Sequence, residues 1–534
     1  MIYIVGSGPA GAACAIALLS CGQRVTMLDV GLRLEPEKRR HVDRLASTEA
    51  TRWPLESIAC VKSGMQVSER GIPLKYVFGS DFPFRIPPGA PRLLQKKSHA
   101  LRSFALGGLS QAWGATLLPF VQTDINDWPI SVSDLAPHYR EVMKWVPLSA
   151  AEDGLNELFP AYADQREDLQ ESPQAKYVLL ALSQNREALQ QEGLLFGRAR
   201  LAVRVRDKGG RRGCVYCGMC LYGCPYGCIH NSEQTLEDLR TNRNFTYIDG
   251  VLVRSAKEDE GSVRIEALDI GTGQPRSFTG ERVFLACGVL TTTQILMDSL
   301  NLRDSSIRIP SSQSFLCPMV SYKRERGPAK ESAHTLSQVY LALQDPSISR
   351  HIVQLQIYTY SDLITGALRR SPLGLLFRLF PALESAAVDR LVVLQGLLHS
   401  HDSDPLTLQS HSGPSEGMAF SLHGALSRDT KAKVRGVGKK LYANRRRTGL
   451  VPLIPLVRIS SAGQSFHTGG SFPMSASPGP RESDLLGRPG GLRRVHAVDA
   501  SVFPSVPSVP LTLSVMANAH RIASQTVAEL VAAG

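Results

Sequence analysis

The first thirty residues constrain this chain more than any other stretch. Ile2–Val5 is a short apolar run of the kind that forms a buried parallel strand. It leads at once into Gly6-Ser7-Gly8-Pro9-Ala10-Gly11, an alanine-rich segment to Gly22, and a second strand-like run, Arg24–Leu28, that ends in Asp29. Each part has a physical task. Gly6 permits the tight turn out of the strand, Gly8 lets a pyrophosphate approach the backbone where Pro9 and Ala10 open the helix, and Gly11 lets helix and strand pack closely. The helix N-terminus presents unpaired N–H groups and a partial positive charge to that pyrophosphate. Asp29, twenty-three residues after Gly6, is placed to accept hydrogen bonds from ribose hydroxyls. Strand, turn, helix, strand and terminal acid together predict a dinucleotide site on an α/β fold.

The rest of the chain must fit around that unit. Its 534 residues correspond to two intertwined domains of about 250 residues each. Apolar residues make up 43% and charged ones 20%, an ordinary globular balance that excludes a disordered or membrane-embedded chain. The longest apolar region, Leu373 to Leu398, is broken by Arg378, Glu384, Asp389 and Arg390, so it predicts no membrane span. The net charge of +12 raises a nucleic-acid partner, yet the basic residues are scattered. The small clusters Arg435–Lys440 and Arg445-Arg446-Arg447 have no aromatic motif beside them and read as solvated helix faces. No nucleic-acid partner is expected. The sequence opens on its first strand with no signal-like segment, which leads to the expectation of a cytoplasmic protein. Thiols stay reduced there. Five of the ten cysteines fall within fifteen residues, a grouping that in a reducing compartment points to metal.

After an unassigned stretch at 32–100 comes Phe104-Ala105-Leu106-Gly107-Gly108-Leu109-Ser110-Gln111-Ala112-Trp113-Gly114. Paired glycines followed by small polar residues suit backbone wrapped around a bulky cofactor, or simply a flexible loop. Asp127-Trp128-Pro129 then turns into a helix near Ser133–Val146, capped by Ser131 or Ser133. From here the chain resembles the glucose–methanol–choline (GMC) flavoprotein oxidoreductases, through Trp128-Pro129 and Asp134-Leu135-Ala136-Pro137-His138-Tyr139 together with the glycine motifs. The resemblance implies that Gly6–Gly11 holds FAD and that Gly107, Gly108 and Ser110 lie along the flavin.

Residues 150–205 are polar and helical in pattern and read as an excursion over the surface. Then follows Cys214-x2-Cys217-x2-Cys220-x3-Cys224-Pro225, with Cys228 four residues on. This is the spacing of bacterial ferredoxin cluster loops, whose glycines let backbone N–H groups face the sulfurs. Three chemistries fit: an iron–sulfur cluster (4Fe–4S, or 3Fe–4S), a tetrahedral zinc held by four thiolates, or disulfides in an oxidising compartment. The fourth cluster ligand is either Cys224 or Cys228. Some sugar dehydrogenases of the resembled family carry a cluster in the flavin subunit, and some of its alcohol oxidases have similar cysteine runs.

Beyond Phe245 strands return: Tyr247–Val253, a hairpin of Val263–Ile270 with Arg276–Phe278, and Val283–Gly288 before a helix at 291–299. Cys287 reads as a small core residue. The resemblance puts Val251, Val253 and Gly288 against FAD. The runs Phe315–Tyr322, Thr335–Leu343, Ile352–Tyr360, Val388–His399, Leu406–Ser410 and Met418–Gly424 predict an antiparallel sheet, which the resemblance makes the substrate domain. Ser371–Ala382 interrupts it and reads as a core helix, or as one covering a pocket or meeting a partner or membrane. His399, His401, His411 and His423 have no spacing that ties them together as ligands.

Near the carboxyl end, His467-Thr468-Gly469-Gly470 and Val495–Pro507 match family loops. They imply His467 as the catalytic base over the flavin and Asp499, Ala500, Pro510, Leu511 and Thr512 as cofactor contacts. The helix from Leu511 would aim its positive end at the flavin pyrimidine. Pro510 falls where the family carries a second catalytic histidine or asparagine, and it has no side-chain hydrogen bond to give.

The expected architecture is an FAD-binding Rossmann-like domain from 1–313 and 465–534, with a Cys-rich insertion at about 206–232, and an antiparallel substrate domain from 314–464. The expected function is oxidation of a CH–OH group on a small, hydrophobic-leaning substrate. Electrons would leave through a cluster to an external acceptor protein or quinone. Reduction or desaturation of a C=C bond, an oxygen-using alcohol oxidase, and a non-catalytic electron-relay subunit are the alternatives.

Overall fold

A computed structural model describes all residues except 65, 68–72, 75, 329–330, 373, 413–417 and 534. Its organising sheet has five strands. These are β1 (Ile2–Val5), β2 (Val25–Leu28), β3 (Phe245–Ile248), β4 (Arg282–Leu285) and β5 (Val495–Ala497), in the spatial order β5-β4-β1-β2-β3 with every pair parallel. Apolar runs form these strands because both faces are covered, and every residue of β2 and β4 is buried. Helix α1 (Pro9–Ser20) packs against the long terminal helix α3 (Thr512–Ala533), and α2 (Val289–Ser299) follows β4. The glycine turn after β1, Asp29 after β2 and Gly288 after β4 therefore meet at one end of the sheet, where open α/β sheets bind ligands. Segments far apart in sequence build this layer.

Two antiparallel sheets and one mixed sheet, in which Leu93–Lys96 runs parallel to Met418–His423, surround it. Val251–Asp259, Ser262–Asp269 and Pro275–Gly280 form a three-stranded sheet that includes the predicted hairpin. The seven-stranded sheet joins Ser314–Ser321, Val339–Leu343, Val353–Tyr358, Leu391–Leu397, Leu450–Pro452 and Arg458–Ile459 with one strand from outside 314–464, Leu194–Arg198. Leu406–Ser412 and Met418–His423 belong instead to a four-stranded sheet with Leu93–Lys96 and Ser306–Ile309.

Two expectations need correction. The region 150–205 is no surface excursion. Its helix Pro173–Gln184 buries Ala175, Val178 and Leu182 against the seven-stranded sheet, and Leu194–Arg198 supplies that sheet's edge. Polar residues on the outer helix face mask this in the sequence. The apolar segment at 371–382 is not core either. It forms Gly374–Leu379 and the start of Pro381–Val388, leaving Leu375 70%, Leu379 65% and Phe380 57% exposed. Ser131 caps Val132–Val142 as expected, through a reciprocal pair with Asp134. Among the described residues no helix is long and apolar enough to cross a membrane.

Candidate functional site

A cleft opens at the carboxyl end of the parallel sheet. Gly6, Gly8, Pro9, Ala10, Asp29, Gly108, Val251, Val253, Gly288, Asp499, Ala500, Leu511 and Thr512 all line it. The glycines divide by what they do. Gly6 has φ +100° and a Cβ there would meet the Ala286 carbonyl oxygen at 2.6 Å, while a Cβ on Gly11 would meet the Gly6 carbonyl oxygen at 2.0 Å. Both are demanded by packing. Gly8 is extended, and a Cβ on it would meet only Gly108 Cα, at 4.0 Å. Nothing in the protein requires glycine at position 8, so the space it keeps free is the cleft's. Gly8 also caps α1 without a side-chain hydrogen bond, and no acid stands in the first turn, so the N–H groups there are open to an anion. Thr291 Oγ1 on the wall is buried without a partner. An elongated group with an anionic centre and hydroxyls fits this cradle, as FAD does.

Asp29 sits at the floor. The Ser7 hydroxyl and the Tyr247 hydroxyl (3.1 Å) donate to its Oδ2, and burial outweighs them, raising its pKa to about 6. Ser7 Oγ also accepts the Gly107 N–H at 2.9 Å, tying the second glycine segment to the first. Gly107 takes φ +81° and Ser110 receives the Ser232 N–H, so these two act behind the cleft wall and Gly108 alone reaches it. Asp499 accepts the Gly288 N–H (2.8 Å) and the Thr292 hydroxyl (2.5 Å), bridging the loops that follow β4 and β5. Burial raises its pKa.

At the other end the first turn of α3 faces the cleft through Thr512 and Val515, with Leu511 before it. Pro510 is buried and does not line the cleft. Phe466 and Thr468 line it on either side of His467, which is not itself part of the wall. Burial lowers the His467 pKa to about 4, and its Nδ1 is buried without a partner. Sequence reasoning missed Phe466, held at φ +62° and stacked on Phe84, and Arg102, which is buried against Pro91 O and Gln294 at 2.9 Å each. An arginine in an apolar stretch and a phenylalanine beside the predicted histidine were the available signals. Cys287, expected in the core, lines the cleft.

The five clustered cysteines converge on a second cavity, of about 380 Å³. Cys214, Cys217, Cys220, Cys224 and Cys228 all line it, with Leu169, Tyr226 and His334. Turns at Tyr216 (φ +56°) and Gly218 (φ +74°) aim the Tyr216 and Met219 N–H groups at Cys214 and Cys217. Cys224 receives the N–H of Cys228 at 3.2 Å as well as those of Tyr226 and Ile229, and the Cys228 thiol beside it lowers its pKa to about 6. All ten cysteines are free in this structure. Tetrahedral zinc, at about 2.3 Å from sulfur, would draw its thiolates to roughly 3.8 Å from one another. Within this cavity the Cys224 and Cys228 thiols lie in hydrogen-bond contact. A cluster keeps its thiolates farther apart because its inorganic core lies between them. His334, buried with an unpartnered Nδ1, was not anticipated. The chain just beyond the Cys run is tied to the second glycine segment: Trp113 Nε1–H donates to His230 O at 2.9 Å, and Ser232 N–H to Ser110 Oγ at 2.9 Å.

Residues 430–519 match the protein family described as GMC oxidoreductase. No curated protein matches the chain. Among solved structures, pyridoxine 4-oxidase from Mesorbium loti superposes with a TM-score of 0.61 at 14% identity, covering 99% of both chains. A formate oxidase variant from Aspergillus oryzae RIB40 does so with a TM-score of 0.61 at 12% identity, over 99% of this chain and 98% of that one. The chain thus carries a segment that matches the GMC oxidoreductase family model, on a fold shared end to end with these oxidases.

Proposed function

We propose that the chain is an FAD-dependent dehydrogenase that oxidises a CH–OH group. An iron–sulfur cluster at the Cys run would hand its electrons to an external acceptor protein or quinone. The observation that carries this reading is a cavity lined by five thiols in a chain whose parallel sheet ends at a cleft lined by the dinucleotide motif. Bound FAD supplies the hydride acceptor. The chain's own residues bind it: α1 receives the pyrophosphate, Asp29 the ribose, and the first turn of α3 opposes negative charge on the reduced ring. Cys214, Cys217, Cys220 and either Cys224 or Cys228 hold the cluster, and Arg204, close to both Cys224 and Cys228, offsets its negative charge. We assign to His467, between the wall residues Phe466 and Thr468 and with an Nδ1 that has no partner in the protein, the role of taking the substrate's hydroxyl proton. Its lowered pKa keeps it neutral, the form a base needs.

Iron and acid-labile sulfide per flavin, measured on anaerobically purified protein, test the reading. About three or four irons per FAD are expected, with flavin bleached by an alcohol in the absence of oxygen. Iron-free protein that consumes oxygen with alcohols would establish the oxidase reading instead. His467→Ala should slow anaerobic flavin reduction by about 10²- to 10⁴-fold at saturating substrate. A wild-type rate in that variant removes His467 from the chemistry.

A further inference from the structure

The helical segment that follows Ser361 exposes apolar and basic side chains together. Five of the fifteen large apolar residues exposed among the described residues fall between 375 and 383: Leu375, Leu376, Leu379, Phe380 and Leu383. The helices Asp362–Arg369, Gly374–Leu379 and Pro381–Val388 pack on one another and turn Ile364, Phe377 and Val388 inward, so the outer side they share is apolar. Its charges are sorted by sign. All three acids of 361–390 are neutralised in place: Asp362 by Lys62, Glu384 by Arg369 at 2.7 and 2.9 Å, and Asp389 by Arg324 at 2.9 Å. Arg370 and Arg378 are exposed and, among the described residues, have no carboxylate partner. The segment is also anchored on the Cys loop. Tyr222, between Cys220 and Cys224, donates to Asp362 Oδ1 at 2.8 Å, and Arg370 lies near the same hydroxyl.

We propose that this face docks on the surface of a bilayer that contains anionic phospholipid. Its occupant must offer an apolar layer to Leu375, Leu379 and Phe380 and anions to Arg370 and Arg378 beside them. The boundary between headgroups and acyl chains offers both, and basic amphipathic helices lie in it. A second copy of the same face would set arginine against arginine, with no free acid to answer either. The net charge of +12 adds a longer-range pull toward an anionic surface. Among the described residues no helix is long and apolar enough to cross a membrane, so the contact is with one leaflet. Through Tyr222 and Asp362 the docked face holds the Cys-lined cavity on the membrane side of the molecule. The docking is independent of whatever the cysteines hold.

Cosedimentation of the FAD-loaded full chain with lipid vesicles tests it. Binding is expected to phosphatidylcholine vesicles with about one third phosphatidylglycerol, weakening by about tenfold or more without the anionic lipid or in about 0.5 M salt. Leu379→Ser combined with Phe380→Ser should weaken binding by about 30-fold or more, through the loss of two apolar anchors. Arg370→Gln and Arg378→Gln should each weaken it by about fivefold. All four side chains are exposed, so the variants keep the wild-type melting temperature and FAD content, which separates lost docking from lost folding. Wild-type protein that stays in the supernatant with the anionic vesicles would overturn the proposal, as would undiminished binding of the folded double variant. Dimerisation of the wild type without vesicle binding, abolished in the double variant, would overturn it in favour of an interface between copies.

Discussion

The two cavities are built on opposite plans. The cleft under the parallel sheet is shaped by backbone: glycines set how closely strand, helix and loop approach, and one carboxylate marks its floor. The Cys-lined cavity is a donor set, five like side chains delivered by one short loop. A shape fails when atoms are added, and a donor set fails when atoms are removed. The two plans therefore predict different losses from equally small changes.

The largest effect is expected in the shape. Gly11→Val places side-chain atoms where a Cβ already stands 2.0 Å from the Gly6 carbonyl, so α1 must leave β1. Overpacking of this kind costs about 3 kcal/mol or more, and the chain should retain no FAD. A Gly11→Val protein that purifies yellow would break the argument for a backbone-built cleft. Next comes the donor set. Cys214→Ser or Cys217→Ser removes a thiolate that only a metal group needs, so iron content and turnover with one-electron acceptors should fall together, by about 100-fold. Anaerobic flavin reduction should remain within about twofold of wild type, because the cleft is untouched. Parallel loss of both activities would mean that the two cavities are one structural unit.

Gly8→Ala sharpens the contrast with Gly11. The added methyl meets no protein atom closer than 4.0 Å and the backbone is unstrained, so stability without cofactor should fall only by the N-cap preference of glycine over alanine, about 0.5–1 kcal/mol. Affinity for FAD should drop about 10- to 100-fold, since the methyl stands where the ligand approaches. Equal FAD affinity in wild type and variant would show that the pyrophosphate lies elsewhere.

The same division explains what could be read from the sequence. Gly6–Gly11 and Asp29 were legible because local spacing alone assembles them, and the five cysteines because one loop carries them all. The seven-stranded sheet was legible in its strands but not in its partner Leu194–Arg198, since polar outer faces hide a helix-flanked edge strand. His351 and His399 are forty-eight residues apart and meet only through the register of two antiparallel strands, which no local pattern specifies. The exposure of Leu375, Leu379 and Phe380 was equally invisible, because an apolar run looks the same in a core and on a surface. What depends on separate segments meeting in space, including the side-chain direction of His467, required the fold.

A pH dependence is expected at Asp29, at the floor of the backbone-built cleft. Burial raises its folded pKa from 3.8 to about 6. The folded chain thus holds a proton that the unfolded chain has already lost between these values. Stability without FAD should therefore decline as pH rises from about 4 through 6, by on the order of 3 kcal/mol, and level off above. FAD reverses the preference, because ribose hydroxyls donate to the ionised carboxylate. Below pH 6 the cofactor must displace a proton, and its dissociation constant should rise toward tenfold per unit, while above pH 7 it should be flat. Asp29→Asn should remove the slope and leave affinity weaker at neutral pH by about tenfold or more, the loss of a charge-assisted hydrogen bond. Flavin fluorescence titrations from pH 5 to 8 on wild type and variant measure both. A flat wild-type profile would mean that Asp29 serves the packing of Ser7 and Tyr247 and that the ribose finds its acceptor elsewhere on the cleft wall.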